Sequence, residues 1–533
     1  MAYFSLHAYD ADVWLPAFFG LKQQDESLNP DIRFATEVRN VETPNGVLQP
    51  HAGYEVLEGE FENKVETIAR FYRRWYQGAG SKHWLVCAAG GNLYYRQEGA
   101  RVGWTKIERP ELAPVFKSNI WSWCTYEVNT PEVDHPIDVL LMSNAEDGMI
   151  MVTPPDRPRT WGDLSQYTWQ ELSEMTWAEV YSPAWNISYI DTKGKKFGVI
   201  ERYAERIWGG AITEDPDMLV YSAPYDPTNW EANPTIPEDG AGSIQQPSWD
   251  GDRFTALRAF GDQLIAFKEH RVWRVYGTNP GEYTFKEQYG GGAPYFNTIA
   301  VDVERIYMAD VNGLSAYDGM SVSPFQRDLI EKLWRRVNKD AMDQMCAVLF
   351  QQRYYLAVPV DGSEVNNALI VLNMHDGTFL YYDDLNIESM LATPDAVYAT
   401  SSSLPGKVII LGYDSWVSQK TTGSETKWTS PWMDFGYKRI QKGGFDLYFT
   451  PEVQNEAVTL TISIQTEKKT KTKNYTIQPL TEAQREANKE HRNKRLHFGG
   501  SGRRFRIIIE SPEGAAPWRL IGGLHLVVET DPD

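Results

Sequence analysis

Short apolar runs, each closed by a turn of Gly, Asn or Asp, recur from about residue 80 onward. Residues 84–95 (WLVCAAGGNLYY) show the pattern, with a Gly-Gly-Asn turn between an apolar run and a second run that ends in two tyrosines. This arrangement is typical of a β-hairpin. The copies start roughly 40–70 residues apart, which is the spacing of propeller blades with loop insertions. Further copies occupy residues 138–152, 206–222, 264–276, 305–319, 354–373 and 397–413.

One such hairpin cannot bury its apolar face alone, whereas neighbouring hairpins packed around an axis can. The pattern therefore predicts a mainly β protein whose body, residues 61–424, is a β-propeller-like array of antiparallel blades. An irregular set of hairpins in ordinary sandwiches is the alternative, because the copies share no sharp consensus. Residues 61–76 are ambiguous, since their apolar spacing fits a helix while their aromatic residues also suit a strand.

The two ends of the chain differ from this body. Residues 1–60 predict an N-terminal β arm, in which Asn45-Gly46 between two short apolar runs indicates a hairpin. Residues 425–533 alternate apolar and polar positions as antiparallel strands do, and the segment is about the size of a β-sandwich. The highly charged residues 481–495 are expected to form an exposed loop or a short helix.

An insertion at residues 160–185 repeats a short motif: TWGDL at 160–164, TWQEL at 168–172 and TWAEV at 176–180. In each copy a threonine precedes an acidic residue by three positions, so each copy predicts one capped helical turn. Two interpretations stay open: a local insertion with its own small core, or a docking surface for another subunit. The docking surface would consist of Trp161, Trp169, Trp177, Leu164 and Leu172.

A second insertion at residues 326–345 places Leu329, Leu333 and Trp334 at helical spacing and predicts an amphipathic helix laid against the blades. Its basic residues include Arg335 and Arg336. A basic face of this kind either contacts an acidic partner or is simply solvated. Trp334, Arg335 and Arg336 are therefore the interface candidates of this insertion.

Composition favours strands and interfaces, because 13% of the residues are aromatic, including 19 Trp and 29 Tyr. The net charge of −20 argues against ordinary phosphate binding, although it suits a channel wall past which DNA moves without adhering. Three widely spaced cysteines form neither a disulfide framework nor a zinc motif. The sequence shows no secretory signal and no stretch near the roughly 20 apolar residues of a membrane helix, so we expect no membrane span and synthesis in the cytoplasm.

The search for catalytic chemistry finds no P-loop, no Gly-x-Ser-x-Gly elbow and no His-Glu-x-x-His motif, and the nine histidines are scattered. Acidic turns such as 250–252, 310–313 and 318–319 could offer oxygens to calcium, but Asp-Gly and Asn-Gly are also what tight turns require. We therefore expect no enzyme, no cofactor and no metal site. A propeller glycosidase with paired carboxylates is the enzymatic alternative, although its repeated Ser-x-Asp-x-Gly-x-x-Trp turns are not found.

Residues 217–319 contain a series of short motifs that resembles a known protein family. The order of motifs there resembles the propeller-type tail hub or nozzle proteins of short-tailed bacteriophages. Residues 37–54 are similar to the opening segment of that family, and residues 432–436 and 502–506 resemble its terminal sandwich. The likeness spans about two thirds of the chain and does not include the tryptophan repeat or the helix at 326–345. The motifs that carry it are MLVYS at 218–222, YDPTNW at 225–230, DGDRFTAL at 250–257, GDQLIAFK at 261–268, VWRVYG at 272–277 and NGLSAYDG at 312–319.

The resemblance implies a structural protein of the virion tail, made in the host cytoplasm. Several copies, six as in the family, would form a ring below the portal and adaptor that continues the exit channel for double-stranded DNA. DNA would pass through the lumen without specific binding, and other tail proteins would be partners. A receptor-binding or glycan-binding propeller is the first alternative function, and the glycosidase is the second.

Overall fold

Strands dominate the computed structural model, and its few helices are short. The mainly β fold class predicted from the hairpin pattern is therefore confirmed. The structure describes residues 4–7, 10–22, 31–74, 82–100, 102–110, 113–129, 136–154, 168–174, 185–246, 251–374, 377–412, 414–434, 441–481 and 493–531.

Among the described residues of the N-terminal segment, six short strands precede the repeated hairpins. Residues 45 and 46 both have positive φ, and the turn that they form joins two of these strands as an antiparallel hairpin, at the Asn-Gly position that the sequence indicates. The strands are β1 (Phe4–His7), β2 (Asp10–Leu15), β3 (Glu37–Arg39), β4 (Val41–Glu42), β5 (Gln49–Pro50) and β6 (Tyr54–Val56).

Seven four-stranded antiparallel sheets, the blades of a propeller, follow within the described residues. Residues 65–73 of the ambiguous segment 61–76 supply the first strand of blade 1, so this part of the segment is a strand and not a helix. Blade 1 contains β7 (Val65–Arg73), β8 (Lys82–Ala89), β9 (Asn92–Gln97) and β10 (Thr105–Ile107); blade 2 contains β11 (Ser122–Val128), β12 (Ile137–Asn144), β13 (Gly148–Thr153) and β14 (Asn186–Ile190); blade 3 contains β15 (Val199–Tyr203), β16 (Arg206–Gly210), β17 (Met218–Tyr221) and β18 (Gly242–Gln245).

The remaining blades repeat this order. Blade 4 contains β19 (Phe254–Phe260), β20 (Gln263–Lys268), β21 (Val272–Tyr276) and β22 (Thr284–Gln288); blade 5 contains β23 (Ala300–Val301), β24 (Ile306–Asp310), β25 (Gly313–Tyr317) and β26 (Val322–Pro324); blade 6 contains β27 (Cys346–Phe350), β28 (Arg353–Val358), β29 (Ala368–Asn373) and β30 (Thr378–Tyr382); blade 7 contains β31 (Ile387–Ala392), β32 (Val397–Ser401) and β33 (Val408–Leu411).

Blade 7 obtains its fourth strand from the other end of the chain. Its outermost strand is β6, which pairs antiparallel with β33 through Glu55 and Ile410. The side chains of Leu391 and Tyr398 in blade 7 then share a buried cluster with Val65 and Ile68 of blade 1. The last blade is thus joined both to the N-terminal segment and to the first blade, which closes the propeller.

Apolar residues at alternate positions of a strand fill the spaces between successive blades. In β12, Leu140 and Met142 belong to the cluster shared with blade 1, whereas Val139 and Leu141 belong to the cluster shared with blade 3. Because both faces of such a strand are covered, it reads as a continuous apolar run rather than an alternating one. This explains why the second strand of each blade gives the strongest signal in the sequence.

The remaining strands of the described part of the chain form a β-sandwich of two five-stranded sheets. One sheet has the order β1-β2-β40-β35-β38 and the other β3-β34-β39-β36-β37, so residues before position 40 supply three of the ten strands. Residues 1–60, predicted as a separate arm, are therefore divided between the sandwich and blade 7. The C-terminal strands are β34 (Thr426–Thr429), β35 (Gln441–Val453), β36 (Val458–Thr466), β37 (Thr470–Ile477), β38 (Lys494–Gly502), β39 (Phe505–Ser511) and β40 (Trp518–Asp531).

The sandwich and the propeller share one core. The buried cluster that contains Leu447 and Ile507 of the sandwich also contains Ala309 of blade 5 and Leu356 of blade 6. Burial of this continuous apolar surface holds the two parts together. The two parts therefore form one packed body rather than two separately cored domains.

The described helices are short. The insertion predicted over 326–345 begins as a helix, but the helix ends at Trp334 and a separate 3₁₀ turn, Lys339–Gln344, follows. None of the described helices has both the length and the apolar character needed to cross a membrane. The α-helices are α1 (Trp169–Glu174), α2 (Arg327–Trp334) and α3 (Ser415–Ser418); further 3₁₀ turns are Pro44–Gly46, Pro237–Asp239 and Phe296–Thr298.

Candidate interaction surfaces

The middle copy of the tryptophan repeat forms the capped helical turn that its sequence predicts. The hydroxyl of Thr168 accepts a hydrogen bond from the backbone N–H of Glu171 (3.3 Å), and the Glu171 carboxylate accepts one from the backbone N–H of Thr168 (2.7 Å). The side chain of Trp169 at the start of α1 is 87% exposed, and Leu172 is half-buried. Trp161, Leu164 and Trp177 lie outside the described residues.

The three candidates from the second insertion lie in different environments. Trp334 is 5% exposed and its indole N–H donates to the backbone carbonyl of Val311, so it is part of the core of this chain. Arg335 forms an exposed ion pair with Glu331 one helical turn earlier. Arg336 pairs with Asp361 at 2.6 Å. Both arginines are thus partnered within the chain, and α2 presents no unpaired basic face through them.

A buried polar network lies where the N-terminal segment, blade 6 and the start of the sandwich meet. His51 Nε2 lies 2.8 Å from one Asp384 carboxylate oxygen, and the Thr422 hydroxyl donates to the same carboxylate. The His51 ring is stacked on Tyr382 with 4.2 Å between ring centroids. Burial alone would raise the pKa of Asp384, but His51 and the hydroxyl of Thr422 lower that pKa to about 2.

This Thr-His-Asp group does not have the geometry of a nucleophilic triad. In such a triad the carboxylate binds one imidazole nitrogen and the nucleophile the other. Here Asp384 and Thr422 both contact Nε2 of His51, at 2.8 and 3.2 Å, and the hydroxyl proton of Thr422 is directed to the carboxylate. The group therefore serves to join three segments of the chain.

A second buried carboxylate belongs to the same joint. Glu42 is 2% exposed, and it accepts hydrogen bonds from the Gln49 side chain (2.8 Å) and from the backbone N–H of Ser415 (3.0 Å). Burial raises the pKa of Glu42, while these two donors oppose the rise. Polar groups of this kind are stable in a core only where each finds a partner, which fixes how the segments pack.

The acidic turns are largely occupied by structural contacts. Asp310 accepts a hydrogen bond from the backbone N–H of Asn312 and pairs with Arg327, and Asp318 accepts bonds from the two N–H groups that follow its turn. Only one described group brings three potential metal ligands together: Asp252, Glu269 and His270. Its carboxylates already lie beside arginines, with Glu269 2.7 Å from Arg253 and Asp252 3.7 Å from Arg271.

Lysines line the open edge of the sandwich. Strand β37 is an edge strand, and Lys471 and Lys473 pair in register with Ile464 and Ile462 of β36, two buried residues of the sandwich core. A groove of about 650 Å³ lies between β37 and β38, with Phe498 among its buried walls. We call this surface the lysine edge; it comprises Lys468, Lys469, Lys471 and Lys473.

The lysine edge is the clearest feature that sequence analysis did not identify. The charged run at residues 468–473 suggests a loop by its composition, whereas the Thr-Lys-Thr-Lys alternation in residues 470–473 is the period-2 pattern of a strand. Within the described residues, no carboxylate lies within ion-pair distance of these four lysines. Lys473 instead lies over the Phe498 ring, 5.8 Å from its centroid.

Charge is unevenly divided between the two parts of the chain. Residues 425–533 hold 17 of the 52 basic residues but 14 of the 72 acidic ones, so this segment is slightly positive and residues 1–424 carry the whole negative excess. An exposed acidic segment lies on and just after β6, near the propeller closure. We call it the acidic rim; it comprises Glu55, Glu58, Glu60 and Glu62.

No protein-family model and no curated protein match this chain. Solved structures of two propeller proteins are similar to it. Two structures of BBS1N in complex with ARL6DN, soaked with mercury or lead, match with TM-scores of 0.36 and 0.37 at 9% and 10% identity, over 68% of this chain and 97% of theirs. The WD40 domain of Neurospora crassa Pan2 matches with a TM-score of 0.34 at 10% identity, over 68% of this chain and 98% of that one.

Proposed function

We propose that this chain is a structural subunit of a bacteriophage virion, a tail hub or nozzle protein whose copies form a ring that continues the DNA exit channel below the portal and adaptor. The motifs at residues 218–319, which resemble that family, are the origin of the proposal. The observation that carries it is the fused body, in which an N-terminal segment completes both a closed propeller and a sandwich. A body of this kind suits a rigid ring segment.

The distribution of charge supports the same function. An acidic propeller offers few sites for phosphate, because binding to DNA depends on clustered lysine and arginine. Duplex DNA would move past such a surface without being held. The basic residues concentrated in the sandwich would then face protein partners rather than the channel.

Electron microscopy of the purified full-length chain, alone and mixed with the portal and adaptor of its own particle, tests the function. We expect a closed ring of about six copies, with acidic side chains toward a pore about as wide as a DNA duplex. A chain that remains a monomer under both conditions would exclude the proposal. So would a ring whose inner wall is covered with lysine and arginine in contact with DNA.

Trp169 favours one second candidate, a receptor-binding or glycan-binding propeller. Its ring is 87% exposed, and exposed aromatic rings are suitable for stacking against sugars. A glycan array probed with the wild-type chain and with Trp169→Ala distinguishes the two functions. Binding that depends on Trp169 in a monomeric chain would support the second candidate.

A further inference from the structure

We infer that the lysine edge of one copy docks on the acidic rim of the next copy, so that the subunit contact of the ring is a head-to-tail electrostatic interface. This inference rests on the proposed function, because it names the surfaces through which the ring closes. The occupant of the groove at the lysine edge is accordingly a second copy of this chain.

The groove is built for a polypeptide rather than for nucleic acid. Its aromatic walls, Phe445 and Phe498, are each 1% exposed, so neither ring can stack on a base. The lysines stand on an edge strand whose outer side has no strand partner in the described chain. An edge strand with a neighbouring apolar slot is a common place for protein partners to bind.

The acidic rim has complementary properties. It lies on and just after β6, the outermost strand of blade 7, and all four of its glutamates are exposed. Within the described residues, none of these carboxylates is within ion-pair distance of a basic side chain. By contrast, the neighbouring Lys64 pairs with Glu388 at 3.1 Å. The rim is thus a row of uncompensated negative charge beside a region where other charges are paired.

The two surfaces lie on different parts of the molecule. The sandwich packs on blades 5 and 6, whereas the rim lies between blades 7 and 1. No described ion pair joins the lysine edge to the rim within one chain. A contact between different surfaces of identical subunits is heterologous, and it closes into a ring when the rotation per subunit permits. Opposite charge on the two surfaces sets the direction of that contact.

Charge reversal tests the interface. Lys469→Glu/Lys471→Glu should raise the subunit dissociation constant at least about tenfold, and Glu58→Lys/Glu60→Lys should do the same, because each variant brings like charges together. The control Lys286→Glu/Lys332→Glu changes the charge equally at two exposed lysines elsewhere and should leave assembly unchanged. Mass photometry measures the fraction of chains assembled into rings at each protein concentration. Circular dichroism verifies that each variant is folded.

Mixing the two defective variants gives the sharpest result. In an alternating ring, the reversed edge of one variant meets the reversed rim of the other, and the native edge meets the native rim. We therefore expect a one-to-one mixture to regain rings with an even number of subunits, while each variant alone does not. Failure of the mixture to assemble, with wild-type rings present, would overturn the interface and leave the proposed function intact.

Three other outcomes would contradict the proposed interface between the lysine edge and the acidic rim. Wild-type rings unaffected by either double substitution would overturn the interface. DNA binding that is lost in Lys469→Glu/Lys471→Glu, with the ring retained, would assign the groove to nucleic acid instead. A wild-type chain that never forms a ring, even with portal and adaptor, would remove the proposed function together with the inference.

Discussion

Each propeller blade except the last takes four strands that are consecutive in the chain, whereas the sandwich takes its strands from both ends. In β8 and β9 of blade 1, paired residues Ala89 and Asn92 are joined by a two-residue Gly-Gly turn with positive φ. In the sandwich, Asp10 of β2 pairs with Glu529 of β40. Local pairing makes the propeller recognisable in the sequence, while distant pairing makes the sandwich depend on the whole chain.

The largest effect should come from deletions at the N-terminus. Removing residues 1–39 takes three strands from the sandwich, and removing residues 1–56 also opens blade 7. We expect both chains to lose more than about 5 kcal/mol of unfolding free energy, beyond what most domains can lose. Differential scanning calorimetry and limited proteolysis measure the loss. A normal melting temperature for the chain lacking 1–39 would show that the sandwich does not need these strands.

One buried tryptophan in the sandwich and one in the propeller allow the stability of the two parts to be compared. Trp428 of the sandwich and Trp208 of blade 3 are each 0% exposed, and Trp428 packs edge-on against Phe18 of the N-terminal segment at 5.1 Å. Either substitution by alanine should cost about 3–5 kcal/mol. Because the sandwich and the blades share a core, we expect each variant to unfold in one cooperative transition. Urea denaturation measures this transition. Two transitions, of which only one shifts, would indicate that the parts unfold independently.

The buried joint should give a smaller effect that depends on pH. The pKa of Asp384 is lowered to about 2 from an ordinary value of 3.8, so its contribution to stability is present above about pH 4 and is lost as the pH falls toward 2. Asp384→Asn should cost about 2 kcal/mol at neutral pH. It should also remove this part of the acid dependence, measured by denaturant unfolding between pH 2 and 7.

Asp361→Asn is the matched control for that substitution. Asp361 pairs with Arg336 at the surface, where its side chain is 57% exposed. Exposed pairs contribute less than about 1 kcal/mol. Equal losses of unfolding free energy in Asp384→Asn and Asp361→Asn would mean that the buried joint has no special role in connecting the propeller and the sandwich.

The smallest effect on stability is expected at the tryptophan repeat. Trp169 is 87% exposed, so Trp169→Ala should change the unfolding free energy by less than about 0.5 kcal/mol. If the repeat is a docking surface of the proposed virion subunit, the same substitution should nevertheless weaken assembly with the partner proteins of that proposal, measured by co-sedimentation. Glu171→Ala, which removes the carboxylate half of the capping box but keeps the Trp169 side chain, serves as the comparison. Unchanged assembly would reject the docking interpretation.

Sequence analysis predicted what depends on neighbours in the chain. It placed the hairpin at residues 45–46, the strand pairs of the blades and the capped turn at Thr168 and Glu171, because turn residues and side-chain periods are local signals. It did not predict that β6 completes blade 7. A three-residue strand carries no information about a partner more than 350 positions away.

The interface candidates also show that local sequence does not reveal the tertiary partners of a side chain. Helical spacing identified Trp334 as apolar but not whether its ring faces a partner or the core of its own chain, where it lies. Likewise, Arg335 and Arg336 read as a basic face, yet Glu331 and Asp361 lie beside them. The partner of a charged side chain is set by tertiary packing. Charge counts along a sequence therefore do not show which charges remain uncompensated.

The pairing of β2 with β40 also has a consequence for biosynthesis. A ribosome adds about 5–20 residues per second, so roughly 500 residues separate the emergence of these strands by on the order of 25–100 s. During that interval β2 can pair with β1 but not along its other edge, and β6 waits about two-thirds as long for β33. Chains terminated before β40 would consequently expose unpaired strand edges and be open to proteases, so that chains translated through β40 would be the ones that persist.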